Sequence, residues 1–339
     1  MRAVSFLGNR EAAVVERPDP VAGPGQVVVR MVRAAICGSD LHRYRHAPGE
    51  GGPNPEQTPG HEPVGVVAQV GSGVEGLREG QRVLVYHRVG CGECKYCRTG
   101  NTNICTGKPR GRGWEGSDAD YVRCYAQYCR PMPDDLSWDT AVVIACQGGT
   151  AYAPLRRVGA SGRDAIVVTG LGPVGLCTVA LARAMGATVY GVDPMKERRE
   201  LARRLGAEKV FDPSEHDPAE EVRALTGGGA DALIETSGSG AAHAKVGDYI
   251  RTEGQVAFVG IGNRQPSMNP VALFWKQPTL FMSNLYPEWM LPEIIGFVQR
   301  RAVPLDRIVT DRVPLAEAPA AFRLADSATT GKIVFTWGD

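Results

Sequence analysis

Short β-branched runs separated by glycine- and proline-rich turns fill the first 145 residues or so: VVVRMV at 27–32, VGVVAQV at 64–70 and RVLVY at 82–86. That pattern predicts a β-rich domain with long functional loops. From about residue 150 the texture changes to alternation. AIVVTG (165–170), TVYGVD (188–193), KVF (209–211), DALIETSG (231–238) and GQVAFVGIG (254–262) read as strands. PVGLCTVALARAMG (173–186) and KERRELARRLG (196–206) read as helices, with further helical segments between the later strands. Strands alternating with helices of this length require right-handed crossovers, so the expected class is α/β, with a parallel sheet covered on both faces. After about 288, LPEIIGFVQRRAV predicts another helix, and GKIVFTW (331–337) a last strand able to rejoin the first domain.

A chain of 339 residues fits two domains better than one core. Its 38 basic and 37 acidic residues nearly cancel, with no long run of either sign, which removes support for a nucleic-acid surface or an acidic partner. No apolar stretch of signal-peptide or membrane-spanning length occurs, so a soluble, cytoplasmic protein acting on small molecules is expected. Nine cysteines, odd in number and unevenly clustered, suit metal ligation in a reducing compartment better than a disulfide framework.

Four of them, Cys91, Cys94, Cys97 and Cys105, fall in VGCGECKYCRTGNTNIC with spacing C-x2-C-x2-C-x7-C. Tetrahedral zinc takes four such ligands at about 2.3 Å, and Gly92 and Gly100 let the backbone wrap tightly. With every position filled, this is a structural zinc site. A pair of disulfides or an iron–sulfur cluster are the alternatives that spacing alone leaves open.

Gly170, Gly172 and Gly175 form G-x-G-x-x-G between a predicted strand and a helix that opens at Pro173 and Val174, and Asp193 ends the next strand. In that context the pattern is a dinucleotide site. Gly170 allows the tight turn, Gly172 lets amides approach a pyrophosphate, and Gly175 permits close strand–helix packing. Asp193 accepts from ribose hydroxyls and repels a 2′-phosphate, which favours NAD over NADP. Arg198, one helical turn on, dissents, since it can pack on adenine or ribose or accommodate that phosphate.

Cys37 in CGSDLH, His61 and Glu62 in PGHEPVG, and Cys146 in ACQGGTAY are individually unremarkable. Together, two thiolates and an imidazole leave a zinc ion one open position, as a catalytic site requires. CGSDLH, GHE, the four-cysteine lobe, CQGGTAY and GLGPVG stand in one order along the chain, and in that combination the sequence resembles the zinc-dependent medium-chain dehydrogenase/reductase family of alcohol, polyol and threonine dehydrogenases.

The resemblance implies a GroES-like catalytic domain (1–147 and 288–339) interrupted by a Rossmann domain (148–287), with the active site in the cleft between them. It implies two zinc ions per chain, the catalytic one on Cys37, His61 and Cys146 with Glu62 adjacent or exchanging. Asp40 would orient His61. Ser39 and His42 would form the proton relay from the alcohol oxygen. Thr150, Gly260 and Ile261 would face the nicotinamide, and a homodimer or homotetramer is expected. The reaction implied is hydride transfer between an alcohol and NAD. An NADP(H)-preferring aldehyde or ketone reductase and a catalytically silent dinucleotide-binding protein are the competing readings.

Two departures from the family pattern stand out. Where relatives commonly read glycine-glycine-phenylalanine-alanine-glutamate-tyrosine, this chain has Gly116-Ser117-Asp118-Ala119-Asp120-Tyr121. A polar pocket for a polyol, sugar or amino-alcohol follows if Asp118 faces it, with Trp114, Tyr44 and Arg43 as further contacts; nothing follows if Asp118 points to solvent. FMSNLYPEWM (281–290) replaces a glycine-rich stretch, and Tyr286 and Trp289 are expected at a subunit interface.

Overall fold

In the computed structural model, residues 1–49, 52–107, 116–262, 265 and 268–338 are described. Packing divides them into two units, Met1–Cys146 with the segment from Val309 onward, and Gln147–Ile308. Among the described residues no helix is long and apolar enough to cross a membrane.

The first unit is built on a seven-stranded sheet whose central strand, Gln26–Ala35, is buried at nearly every position. Val64–Val70, Tyr121–Tyr125 and Lys332–Thr336 all pair with it antiparallel. The last strand therefore returns across almost the whole chain, with Val334 opposite Ala35 and Phe335 opposite Ala34. Gly65 sits where a Cβ would come within 2.1 Å of the Arg30 carbonyl, so the two strands approach closely only because it has none. A hairpin, Arg2–Gly8 with Glu11–Glu16, and the helices Gly38–Arg45 and Ala318–Asp326 close over an aromatic cluster. Phe6 meets Phe322 edge-on at 4.8 Å, and Tyr44 lies 5.6 Å from Phe6 and 5.5 Å from Phe322.

The second unit is a six-stranded, wholly parallel sheet. Its order across the sheet is Lys209–Phe211, Thr188–Val192, Ala165–Thr169, Ala230–Glu235, Ile250–Phe258, Thr279–Met282. Chain order reverses between Ala165–Thr169 and Ala230–Glu235. That is the topological switch point of a doubly wound sheet, and ligands bind at the carboxyl ends of the strands there. Val167, Val192, Phe211, Leu233 and Val256 belong to its buried core.

The expected break at 287/288 is displaced. Residues 288–308 pack within the second unit because the helix Leu291–Arg300 is clamped there. Glu293 Oε1 accepts from Tyr152 Oη and Arg156 Nε, both at 2.9 Å, and Arg301 Nε donates to the Ala184 carbonyl at 2.9 Å. Tyr286, expected at an interface, is instead fully buried inside the unit, its ring where a Cβ on Gly149 would be, 2.1 Å from that position. Trp289 is half-exposed beneath Arg156.

Candidate active site

Cys37 caps the helix Gly38–Arg45, His61 and Glu62 precede the strand Val64–Val70, and Cys146 lies in a π-helical turn, Ile144–Gly148. Such turns are uncommon and concentrate at functional positions. One ligand atom from each of Cys37, His61, Glu62 and Cys146 falls within 4.8 Å of every other. His61 Nε2 is 3.7 Å from Cys146 Sγ and 3.8 Å from Glu62 Oε1. A zinc tetrahedron with one sulfur and one nitrogen ligand has an edge of about 3.6 Å. The donor set and its spacing therefore fit a zinc ion.

Asp40 fixes the imidazole. Its Oδ1 stands 3.1 Å from His61 Nδ1, so that nitrogen carries the proton and Nε2 is left as the donor to metal. Its Oδ2 accepts from the Cys37 amide at 2.9 Å, so one carboxylate caps the helix and orients the histidine. Burial opposes protonation of His61, but Asp40 and Cys37 beside it hold its pKa well above the ordinary value. A hydrogen bond with Cys146, followed by the charges of His61 and Lys332, pulls the Cys37 thiol well below its ordinary range despite burial.

Lys332 and His87 were not anticipated from the sequence. Lys332 is wholly buried, and its Nζ reaches Glu62 Oε1 at 2.8 Å, Oε2 at 2.7 Å and the Ile36 carbonyl at 2.8 Å. Burial pushes Glu62 up to about 7 against the pull of Lys332. The His87 ring lies 5.1 Å from that of His61, and burial, then the charge of His61, lowers its pKa to about 3. Neither residue belongs to a local motif; a lysine opening an apolar strand was the one available signal.

Ser39 and His42 lie three apart on one face of the helix Gly38–Arg45, and both are exposed. Tyr44, on the opposite face, is not a pocket residue: its ring is taken up by the Phe6–Phe322 cluster, where it buries apolar area. Arg43 donates to Gln57 Oε1 at 3.1 Å. Trp114 lies outside the described residues. Asp118 does not point to solvent; it is fully enclosed.

In the cysteine lobe, Cys91 and Cys97 sulfurs are 3.9 Å apart, as are those of Cys94 and Cys105. The edge of a four-thiolate zinc tetrahedron is about 3.8 Å, whereas a disulfide needs about 2.0 Å. Backbone amides of Cys94, Cys97 and Cys91 point at the sulfurs of Cys91, Cys94 and Cys105. Amides of Cys97 and Thr106 lower Cys94 to about 5, while burial raises Cys97 to about 12. Four crowded sulfurs with amides aimed at them suit a shared cation. Gly92 and Gly100 both take positive φ, +79° and +78°, as the wrapped loop requires.

In the second unit each fingerprint glycine has its own local reason. Gly170 has φ +83° and touches Ser237 so closely that a Cβ would stand 2.7 Å from it. A Cβ on Gly175 would come within 1.9 Å of the Gly170 carbonyl. Around Gly172, which caps the helix Pro173–Ala184, the nearest atom to such a Cβ is Arg198 Nη1 at 3.9 Å, so the loop face there is open to a ligand. Pro173 at the first helical position and Val174 after it begin the turn whose amides have no intrahelical acceptor. Asp193 accepts from the amides of Leu171 at 2.6 Å and Met195 at 2.8 Å, which leaves further lone pairs on each oxygen. Gly260 packs on Gly238, Ile261 is exposed, and the Thr150 hydroxyl is buried without a hydrogen-bond partner among the described residues.

Residues 173–300 match the family model for zinc-binding dehydrogenases, and residues 23–134 that for the alcohol dehydrogenase GroES-like domain. An alcohol dehydrogenase of Geobacillus stearothermophilus is 35% identical over 77% of each chain. An L-threonine 3-dehydrogenase of Pyrococcus abyssi is 32% identical over 96% of this chain and 94% of its own. The structure of alcohol dehydrogenase TADH from Thermus sp. ATN1 superposes with a TM-score of 0.90 at 30% identity, covering 99% of both chains. With both domain signatures and near full-length relatives in agreement, the chain belongs to the zinc-dependent medium-chain dehydrogenase family, an oxidoreductase of the alcohol dehydrogenase type.

Proposed function

We propose that the protein oxidises a polar primary or secondary alcohol, a polyol, sugar or amino-alcohol, with NAD as hydride acceptor and two zinc ions per chain. The observation that carries this reading is the convergence of Cys37, His61 and Cys146, with Glu62 neutralised by Lys332, in a chain that also bears a dinucleotide-type glycine loop followed by Asp193. Zinc would supply Lewis-acid polarisation of the alcohol oxygen, and NAD the acceptor for hydride.

The chain's own residues do the rest. Cys37, His61 and Cys146 hold the catalytic metal, and Asp40 keeps His61 in the tautomer that donates through Nε2. Ser39 takes the alcohol proton as its own hydroxyl proton passes on, and His42, exposed on the same helix face, delivers a proton to water, its imidazole having one nitrogen to accept and one to donate. Gly170, Gly172, Gly175, Pro173 and Val174 cradle the pyrophosphate, Asp193 and Arg198 meet the adenosine ribose, and Thr150, Gly260 and Ile261 meet the nicotinamide. Cys91, Cys94, Cys97 and Cys105 carry the structural zinc.

One observation favours a second reading, an NADP(H)-preferring reductase: Arg198 reaches toward Gly172, where its charge would answer a 2′-phosphate. A cytoplasmic homodimer or homotetramer is the accompanying expectation, supported by free thiols at all nine cysteines and by exposed Phe274, Trp275, Leu280 and Met282 at the sheet edge. Assaying polyols, amino-alcohols, sugars and aliphatic alcohols with NAD and NADP in parallel, alongside metal analysis, tests the whole reading. Two zinc ions per chain and NADH formation with polar alcohols are expected; one zinc ion and no turnover with any class would overturn it.

A further inference from the structure

Of the nine cysteines, four belong to the lobe at 91–105 and two, Cys37 and Cys146, stand beside His61. Cys177 is buried in the helix Pro173–Ala184. The remaining two, Cys124 and Cys129, face each other with their sulfurs 3.2 Å apart, both buried and both free thiols. A disulfide has its sulfurs at about 2.0 Å, so a shift of roughly 1 Å separates this contact from a bond.

The backbone presents the two sulfurs to each other from either side of a seam. Cys124 is opposite Val27 on the central strand, and Cys129 is opposite Val85 on the strand Arg82–Val85. The link between them holds the 3-10 turn Ala126–Tyr128, which is pinned at both ends. The Ala126 amide donates to the Gly25 carbonyl at 3.0 Å, and the Tyr128 carbonyl accepts from the Tyr86 amide at 2.8 Å. Pairing runs in the order Tyr121–Tyr125, Gln26–Ala35, Val64–Val70, Arg82–Val85, Cys129–Pro131. The first and last of these five strands are consecutive in the chain, yet among the described residues no ladder joins them. A bond between Cys124 and Cys129 would close the five strands into a ring.

Access favours one of the two. Cys129 lines an open hollow of about 430 Å³, bounded by residues 73–77 on one side and by Ala126, Gln127 and Arg130 on the other. Gly25, Gly73 and Gly76 on its rim have no atom within 4 Å of where a Cβ would stand, so a small molecule meets no crowding there. Cys124 has no exposed surface. Its hydrogen bond with Cys129, and then burial, raise its pKa well above the ordinary thiol value.

We propose that Cys124 and Cys129 are a reversible redox pair, oxidised to an intramolecular disulfide by hydrogen peroxide that enters through this hollow. The Cys129 sulfur attacks one peroxide oxygen: an S–O bond forms, the O–O bond breaks, and the departing hydroxide leaves as water with the Cys129 proton. The Cys124 sulfur then attacks the sulfur of that sulfenic acid. An S–S bond forms, the S–O bond breaks, and a second water carries off the Cys124 proton. Two electrons pass from the two sulfurs to one peroxide, which ends as two waters. A second thiol already in contact captures the sulfenic acid before it is oxidised further, and that capture keeps the change reversible by a thiol reductant. The pair is separate from both ligand clusters, so it responds to oxidant whichever alcohol the protein oxidises.

The test adds hydrogen peroxide stepwise to the zinc-loaded full-length protein, alkylates the remaining thiols in denaturant, and maps unreduced peptides by mass spectrometry. The wild type should lose two hydrogens and gain no oxygen, with a Cys124–Cys129 crosslink and unchanged zinc content. Its melting temperature should rise by roughly 2–6 °C, the effect of closing a short loop in a protein of this size, and dithiothreitol should reverse both changes. In Cys124→Ala the resolving thiol is gone, so Cys129 should carry added oxygen instead. The wild-type map needs no variant to fold. Cys124 and Cys129 both still alkylated when zinc begins to leave would overturn the inference, as would a Cys129 sulfinic acid in the wild type with Cys124 still a thiol. A crosslink that lowers the melting temperature would overturn the closed ring.

Discussion

Lys332 is a single ammonium enclosed in the first unit, against both oxygens of Glu62. Burial disfavours its charge, yet Glu62, Cys37 and Cys146 around it hold its pKa above the ordinary lysine value. Removing one partner of such a pair strands the other, at a cost of about 3–5 kcal/mol. Lys332→Met should therefore lower the melting temperature sharply and reduce metal retention, and Glu62→Gln added to it should recover much of the loss. A double-mutant cycle in thermal unfolding, with zinc measured on each protein, checks this; additive losses would show that the two groups do not act as a pair. None of this was legible in the sequence, where Lys332 is one basic residue among 38. The ligands themselves were legible because each sits in a short motif. Asp118 drew attention as a departure from pattern, but only burial separates a solvent-facing aspartate from an enclosed one, and burial depends on residues distant in the chain, Val4, Pro59 and Gly60. Tyr44 misled for the same reason: proximity to Cys37 in sequence says nothing about which face of the helix it occupies.

Among the elements, the glycine loop and its helix follow the sequence reading most closely, since strand, turn and helix are contiguous and each glycine answers a local steric demand. Gly175 is the tightest: its missing Cβ lets the helix Pro173–Ala184 lie on the Gly170 carbonyl, with Thr236 Oγ1 donating to that same carbonyl at 2.6 Å. Gly175→Ala should leave the fold intact but displace the loop, and overpacking of this kind costs about 1–3 kcal/mol. NADH binding followed by fluorescence should weaken about 10-fold, as roughly 1.4 kcal/mol implies; unchanged affinity would mean the loop has more slack than its contacts suggest. The helix Leu291–Arg300 is the element the sequence misassigned. Its amphipathic pattern was visible, but the choice of unit was made by Tyr152, Arg156 and the Ala184 carbonyl, all more than a hundred residues earlier.

At the scale of the whole molecule, the two cysteine-bearing sites divide their labour. The lobe at 91–105 has all four sulfurs turned to one another and none left for a substrate, so a metal held there would only tie the loop together. Cys97→Ser should cost stability and zinc first and activity as a consequence, as seen by melting temperature, metal content and rate on one preparation. A fully stable, inactive protein that keeps its other zinc would contradict that order. The parallel order of the second unit, and the return of the last strand to the first, were both expected from the alternation of elements; the exact seam was not, because a seam is decided by side chains that meet only after folding.

The return of the strand Lys332–Thr336 also sets a clock. Cys37, His61, Glu62 and Cys146 are all synthesised by residue 146, but the counter-charge for Glu62 is not made until residue 332. At about 5–20 residues per second, roughly ten seconds or more of synthesis separate the two events. Throughout that interval the second unit can fold as a contiguous stretch, while the metal-site half of the protein waits, its central strand lacking a neighbour and its buried glutamate lacking an ion partner. Completion of this site thus waits on synthesis of the strand Lys332–Thr336, and a chain that stopped before it would carry all four candidate ligand residues with no ion partner for the buried Glu62.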